Sequence, residues 1–318
     1  LIFNFMESVH KSVLVAECIS ALVPRRENSL LIDGTLGEGG HTLEFLMAYP
    51  TLKVIGVDID AEIQKMAKIR LASFEDRVEF YLGWSDDFFA NYPSSKNKPD
   101  LILLDLGISM YHYVTSKKGF SFSKEDSLDM RLSPSLAVSA KDVVNTYSED
   151  EIARILIEYG EERNAKRIAR GIVKVRKFRQ IENTKDLASI VFDCVPHSYK
   201  HLAIHPATKT FQALRIEVNH ELTRLPRLLN FAFDVLSIGG RLGVITFHSL
   251  EDRIVKQYFR SLSTSCTCPP SFPICKCGGV AKRGCLINKK AIKPSDAEVG
   301  DNHAARSAKL RVIQKIKD

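Results

Sequence analysis

The sequence predicts an α/β protein whose doubly wound sheet is interrupted by a helical insertion. Three observations predict it. Short aliphatic runs alternate with helix-like stretches over the first third of the chain, helical signals alone fill residues 113–212, and the strand-helix alternation then returns.

In chain order, SLLIDGTL (29–36), KVIGVDID (53–60), VEFYLGW (78–84) and PDLILLDLG (99–107) are apolar, bounded by turn residues, and read as buried parallel strands. HTLEFLMAY and AEIQKMAKIRLASF between them read as helices, so the pattern is βαβαβ, which places ligands at the carboxyl ends of the strands. SEDEIARILIEYG opens with the capping pair Ser148 and Glu151, and TKDLASIVFDCV follows Asn183 as a second capped helix. Pro206 suits the first position of the helix ATKTFQALRIEVNHEL. IGGRLGVITF then reads as turn and strand, SLEDRIVKQYFRSL as helix, and RSAKLRVIQKI as a terminal strand. Three parts follow: a core (1–112), a helical insertion (113–212), and a second core part (213–318) with a basic, cysteine-containing end.

The 318 residues are 45% hydrophobic, enough for a sizeable core. No apolar run approaches the roughly 20 residues of a membrane span, and the start lacks the pattern of a signal peptide, so a cytoplasmic protein is expected. Seven cysteines, with Cys18 and Cys194 single in helix-like patterns, argue against a secreted disulfide framework. The net charge is +7, and residues 271–318 hold eleven Lys/Arg against four Asp/Glu. Arg163, Lys166, Arg167, Arg170 and Lys174 recur at helical spacing, which fits either a solvated face or a phosphate-binding surface.

The loop IDGTLGEGGH (32–41) follows the first strand and opens a helix, an arrangement that brings backbone close to a ligand. Thr42 stands where the dinucleotide fingerprint requires its last glycine. Asp58 ends the second strand, where a carboxylate binds ribose hydroxyls, and Asp60 is better placed to cap the next helix. Trp84, the single tryptophan, either stacks on an adenine or fills core. Asp33, the glycines and Asp105 offer the mixed polar surroundings of a methionine moiety, so the pattern favours a methyl donor over a dinucleotide.

GFSF (119–122), LDMR (128–131), YGEERNAKRIA (159–169), HPATKTFQALRIEVN (205–219) and FHSLEDRIVK (247–256) occur together and in this order. With them the chain closely resembles the bacterial small-subunit ribosomal RNA cytosine-N4 methyltransferases, the MraW or RsmH family, over almost its whole length. The resemblance implies a Rossmann-like class I methyltransferase fold, S-adenosylmethionine as cofactor, and methylation of a decoding-centre cytidine of 16S ribosomal RNA near the P site. The small ribosomal subunit is then the partner, and the protein a monomer or homodimer. Carried over by position, the resemblance assigns Gly39, Gly40, His41, Asp58, Trp84 and Asp105 to the cofactor. DLGISMYHY departs from the family's pattern, and His112 stands where a cofactor-binding glutamine is usual.

A cytosine amine is a poor nucleophile, because its lone pair is delocalised into the ring. Acceptors that hydrogen-bond its hydrogens raise its reactivity and help remove a proton. Asp105 and His248 are the candidate catalytic residues, Asp105 equally suited to hold the cofactor and His248 equally readable as a core histidine. Ser249 is expected to cap the helix that follows. Cys266, Cys268, Cys275 and Cys277 form two C-x-C pairs that fit structural zinc or a loop of reduced thiols. The alternatives left open are a non-catalytic, zinc-stabilised RNA-binding protein, a DNA amino-methyltransferase, and a dinucleotide oxidoreductase.

Overall fold

A computed structural model describes residues 11–201, 204–265, 268, 272 and 282–318. The chain forms two compact units, one of residues 1–108 and 223–318 and the other of Ser109–Leu222.

The first unit begins with α1 (Val15–Ala21), β1 (Leu30–Asp33), α2 (Gly40–Ala48), β2 (Lys53–Asp58), α3 (Ala61–Arg70), β3 (Val78–Leu82), α4 (Ser85–Ala90) and β4 (Leu101–Asp105). Each expected strand forms, trimmed at its polar ends. Asp60 caps α3 as expected, accepting from Glu62 N and Ile63 N at 2.9 and 3.4 Å.

The second unit holds α5 (Met110–Val114), α6 (Ala140–Thr146), α7 (Glu149–Glu158), α8 (Ala165–Arg176), α9 (Thr184–Cys194), α10 (His197–Lys200) and α11 (Ala207–Asn219). Ser148 and Glu151 form the expected capping box of α7, and Asn183 caps α9. Among the described residues the unit contains no strand, only an isolated bridge between Ser127 and Asn183. It starts before residue 113 and runs beyond 212. The extension has a physical cause: α11 packs on α6, α7 and α9, and Asn219 at its end accepts from Leu132 N and donates to Met130 O, both at 2.8 Å. Helix α11 stops where His220 turns left-handed, at φ 53°.

The chain then returns to the first unit through α12 (Glu221–Val235), β5 (Arg241–Thr246), α13 (Ser249–Ser263), β6 (Gly284–Leu286), α14 (Asp296–Asp301) and β7 (Lys309–Lys315). The sheet order is β3-β2-β1-β4-β5-β7-β6. Strands β1 to β5 pair in parallel, and β7 lies antiparallel between β5 and β6, so the sheet is mixed rather than wholly parallel. Three-residue β6 carries too little pattern to stand out in the sequence.

Alternate strand residues feed two cores because side chains point to opposite faces. Leu31, Val54, Leu101 and Leu103 meet Cys18, Phe45 and Leu71 on one face. Ile32, Ile55, Ile102 and Leu104 meet Phe89, Leu229, Phe233 and Phe259 on the other. Each such side chain contributes about 1.5–3 kcal/mol by leaving water, which is what holds the strand ends in register.

Candidate cofactor and methyl-transfer site

The carboxyl ends of the parallel strands gather at one edge of the first unit. Asp33 pairs with Leu103 in the β1–β4 register, and Asp105 with Ile245 in the β4–β5 register. Asp58 closes β2.

Backbone geometry explains the glycines between β1 and α2. Gly37 and Gly39 have φ of +53° and +78°, in the left-handed region. At Gly34 an added Cβ would lie 2.5 Å from Leu104 Cδ2, so a side chain there would have to displace the buried Leu104.

Asp58 locks that loop to β2. Its Oδ2 accepts from Gly37 N at 2.8 Å and its Oδ1 from Asp60 N at 2.9 Å. Asp33 is 2% exposed and turns inward, accepting from Thr42 Oγ1 at 2.7 Å and Thr35 N at 3.3 Å. Burial pushes its carboxyl above the usual range, although Thr42, His41 and the Thr35 amide favour the ionised form. Asp33 therefore builds the loop from beneath.

His41 is buried, with Nε2 2.8 Å from Val13 O and Nδ1 3.8 Å from Asp105 Oδ2. Asp105 N donates to Thr35 Oγ1 at 2.6 Å, and Asp105 Oδ1 accepts from Gly107 N at 3.3 Å. Beneath them, burial and then Asp105 push the Cys18 thiol far up, so it stays protonated and is no nucleophile.

Trp84 is half-buried at the start of α4, and the Arg224 guanidinium lies 4.3 Å from its ring centroid. Arg224 is held by Asp86 Oδ1 at 2.6 Å and Asp87 Oδ2 at 2.9 Å. Ser85 Oγ donates to Gly34 O and joins this corner to the glycine loop.

After β5, the helix cap corrects the expectation. His248, not Ser249, is the N-cap of α13: Nδ1 accepts from Glu251 N at 3.4 Å, while Glu251 Oε2 accepts from Phe247 N at 2.9 Å and His248 N at 3.4 Å. His248 Nε2 lies 3.1 Å from Glu251 Oε1. Both ring nitrogens thus face Glu251.

Residues 7–316 match the model of the MraW methylase family. The chain belongs to that family. It is 57% identical over 311 residues to the "Ribosomal RNA small subunit methyltransferase H" of Treponema denticola, covering 98% of each chain. The relative of the same name from Treponema pallidum is 43% identical over 351 residues, covering 96% of this chain and 92% of that one. The one from Borreliella burgdorferi (strain ZS7) is 46% identical over 295 residues, covering 92% and 93%.

In this MraW methylase, Gly39, Gly40, His41, Asp58, Trp84 and Asp105 lie together in the first unit, and His248 follows β5 at the same edge. His112 belongs to the second unit, 5% exposed on α5, with its ring 5.1 Å from that of Phe120. Thr35, Ser85 and Arg224 were not singled out from the sequence. Thr35 and Ser85 adjoin recognised motifs, but nothing in the chain order brings Arg224 to Trp84. The zinc reading depends on Cys266, Cys275 and Cys277, which lie outside the described residues. Among the described residues no helix is long and apolar enough to cross a membrane.

Proposed function

We propose that the chain transfers a methyl group from S-adenosylmethionine to N4 of a decoding-centre cytidine, near the P site, in 16S ribosomal RNA of the small subunit. The observation that carries this reading is the glycine loop held on one side by the Asp58 carboxylate, which accepts from Gly37 N, and on the other by the Asp105 backbone amide, which donates to Thr35 Oγ1. The donor set suits the cofactor: backbone without side chains at Gly34, Gly39 and Gly40, a carboxylate at the ribose position, and an aromatic ring at Trp84.

When bound, S-adenosylmethionine supplies a methyl group on a positively charged sulfur. Asp58 is the residue to hold the ribose hydroxyls, its plane set by Gly37 and Asp60. Gly39, Gly40 and His41 line the methionine end, and Trp84 packs on the base. Asp105 orients hydrogens of the cofactor ammonium or of the target amine, and an acceptor for the amine hydrogens raises the nucleophilicity of the nitrogen. His248 acts as a positioning residue through Glu251. His112 is the residue that replaces the family's glutamine, and one ring nitrogen suffices for one hydrogen bond.

The second unit supplies the RNA contacts in this reading. Arg163, Lys166, Arg167, Arg170 and Lys174 are all exposed on or beside α8. Domain roles follow: the first unit carries the cofactor, and Ser109–Leu222, which the sequence places at 113–212, is the RNA-binding insertion. The compartment is the cytoplasm, where the small subunit is available.

The deciding experiment is mass spectrometry of small-subunit ribosomal RNA nucleosides from cells with and without the protein. Loss of an N4-methylated cytidine is expected. An unchanged nucleoside profile overturns the proposal.

A further inference from the structure

In the second unit a row of rings runs outward from the core. Phe211 is 4% exposed and meets half-buried Phe122 edge-on, with centroids 5.0 Å apart. Phe122 lies 4.8 Å from the His205 ring at 34°, and His205 faces Phe192 at 6.0 Å and 20°. Phe192 is 38% exposed, and Lys200 Nζ sits 4.5 Å from its centroid. Packing of α9 and α11 accounts for the inner half of this row. It leaves unexplained why the outer half continues into solvent.

The outer rings are set in place. His205 Nδ1 accepts from Ala207 N at 3.1 Å, which fixes the ring where α11 begins. Burial and then Lys185 hold the imidazole below its usual pKa. The surroundings are cationic: Lys185 acts on His205, and Arg167 and Lys200 both act on Cys194, with Asp193 the opposing acid. Among the described residues Arg167, Lys185 and Lys200 have no carboxylate partner. Arg167 also belongs to the exposed face of α8, which packs on α9, so the rings adjoin the basic row.

We propose that Phe192 and His205, with Lys200 beside them, form a stacking platform for an unpaired base of the RNA substrate. Aromatic faces flanked by cations suit single-stranded RNA, in which bases are splayed onto side chains while phosphates meet positive charge. A preset ring lowers the ordering cost of such a contact. The inference rests on the RNA-substrate reading above and deepens it by naming residues of the second unit for a base contact.

The test compares binding of small ribosomal subunits and of protein-free small-subunit RNA by wild type, Phe192→Ala, Phe192→Trp and Lys200→Glu, with cofactor titration as control. Phe192→Ala is expected to weaken binding of the RNA by about 5- to 150-fold without changing its salt slope. Phe192→Trp keeps wild-type binding, and Lys200→Glu reduces the salt slope by about one. Cofactor affinity stays as in wild type for all. RNA binding unchanged in Phe192→Ala overturns the platform, as does equal loss in Phe192→Ala and Phe192→Trp. A defect confined to whole subunits assigns the surface to a ribosomal protein and overturns it too. Failure of wild type to methylate the subunit overturns the enzymatic reading instead.

Discussion

His41 Nδ1 lies 3.8 Å from Asp105 Oδ2, while His41 Nε2 is 2.8 Å from the Val13 carbonyl. A carbonyl only accepts, so Nε2 carries the hydrogen and Nδ1 is the nitrogen turned to the carboxylate. Asp105→Asn keeps an oxygen for Gly107 N but removes the charge. A hydrogen bond to a charged group contributes about 1.5–3 kcal/mol, so S-adenosylmethionine affinity should fall roughly 10- to 150-fold, with methyl transfer falling alongside. Calorimetric titration and a labelled-methyl assay check both. Transfer lost at unchanged affinity would reassign Asp105 from binding to proton acceptance.

Trp84 is the single tryptophan, which makes fluorescence a direct report on its corner of the site. Arg224→Ala uncovers one face of the ring and takes from Asp86, 3% exposed, its 2.6 Å partner. A red-shifted emission and a loss of about 1–3 kcal/mol in urea unfolding are expected. Cofactor addition to wild type should change the Trp84 signal. An emission spectrum identical in the variant would show that Arg224 does not shape the surroundings of Trp84.

Charge reversal at Arg163, Lys166 and Arg170 tests the basic face of α8. All three are exposed, and Arg170 has one weak partner, Glu149 Oε1 at 3.4 Å. Stability should hardly move, because exposed pairs contribute about 0–1 kcal/mol. RNA affinity should drop and its salt dependence flatten. If neither changes, the face is merely solvated.

Strands β1 to β5, the caps at Asp60, Ser148 and Asn183, and the strand-end acids were legible because each is a local signal of a few consecutive residues. The last strand's direction was not, since it is set by antiparallel pairing with β5, far back in the chain. Arg224 reaches Trp84 from 140 positions away only after α12 packs beside α4, and no local pattern encodes that. The cap of α13 lies one residue before the expected Ser249. Serine is the commoner cap, but extended geometry falls on His248, at φ −136° and ψ 166°.

That cap makes its own prediction. Glu251 is 3% exposed and accepts from both Phe247 N and His248 N. Glu251→Ala leaves two backbone donors without this acceptor and should cost about 1–3 kcal/mol, together with slower methyl transfer as the turn after β5 loosens. Glu251→Gln, which keeps an acceptor, should recover most of the stability. Equal losses in both variants would sink the capping explanation.

Asp252 makes the stability of the fold depend on pH. Burial alone would raise its carboxyl, but Arg311 Nε at 2.7 Å and Lys309 Nζ at 3.3 Å outweigh burial and hold it below the usual value. A carboxyl whose folded pKa is depressed adds stability above its unfolded pKa of about 3.9, and that stability disappears as pH falls through the folded value. The pair ties α13 to β7, so it bears on the sheet edge beneath His248. Asp252→Asn should therefore destabilise the protein by about 1–2 kcal/mol at pH 7 and progressively less as acid approaches the folded pKa. Urea titrations from pH 7 to pH 3 measure the difference, and a gap between variant and wild type that stays constant across that range would refute the linkage to Arg311 and Lys309.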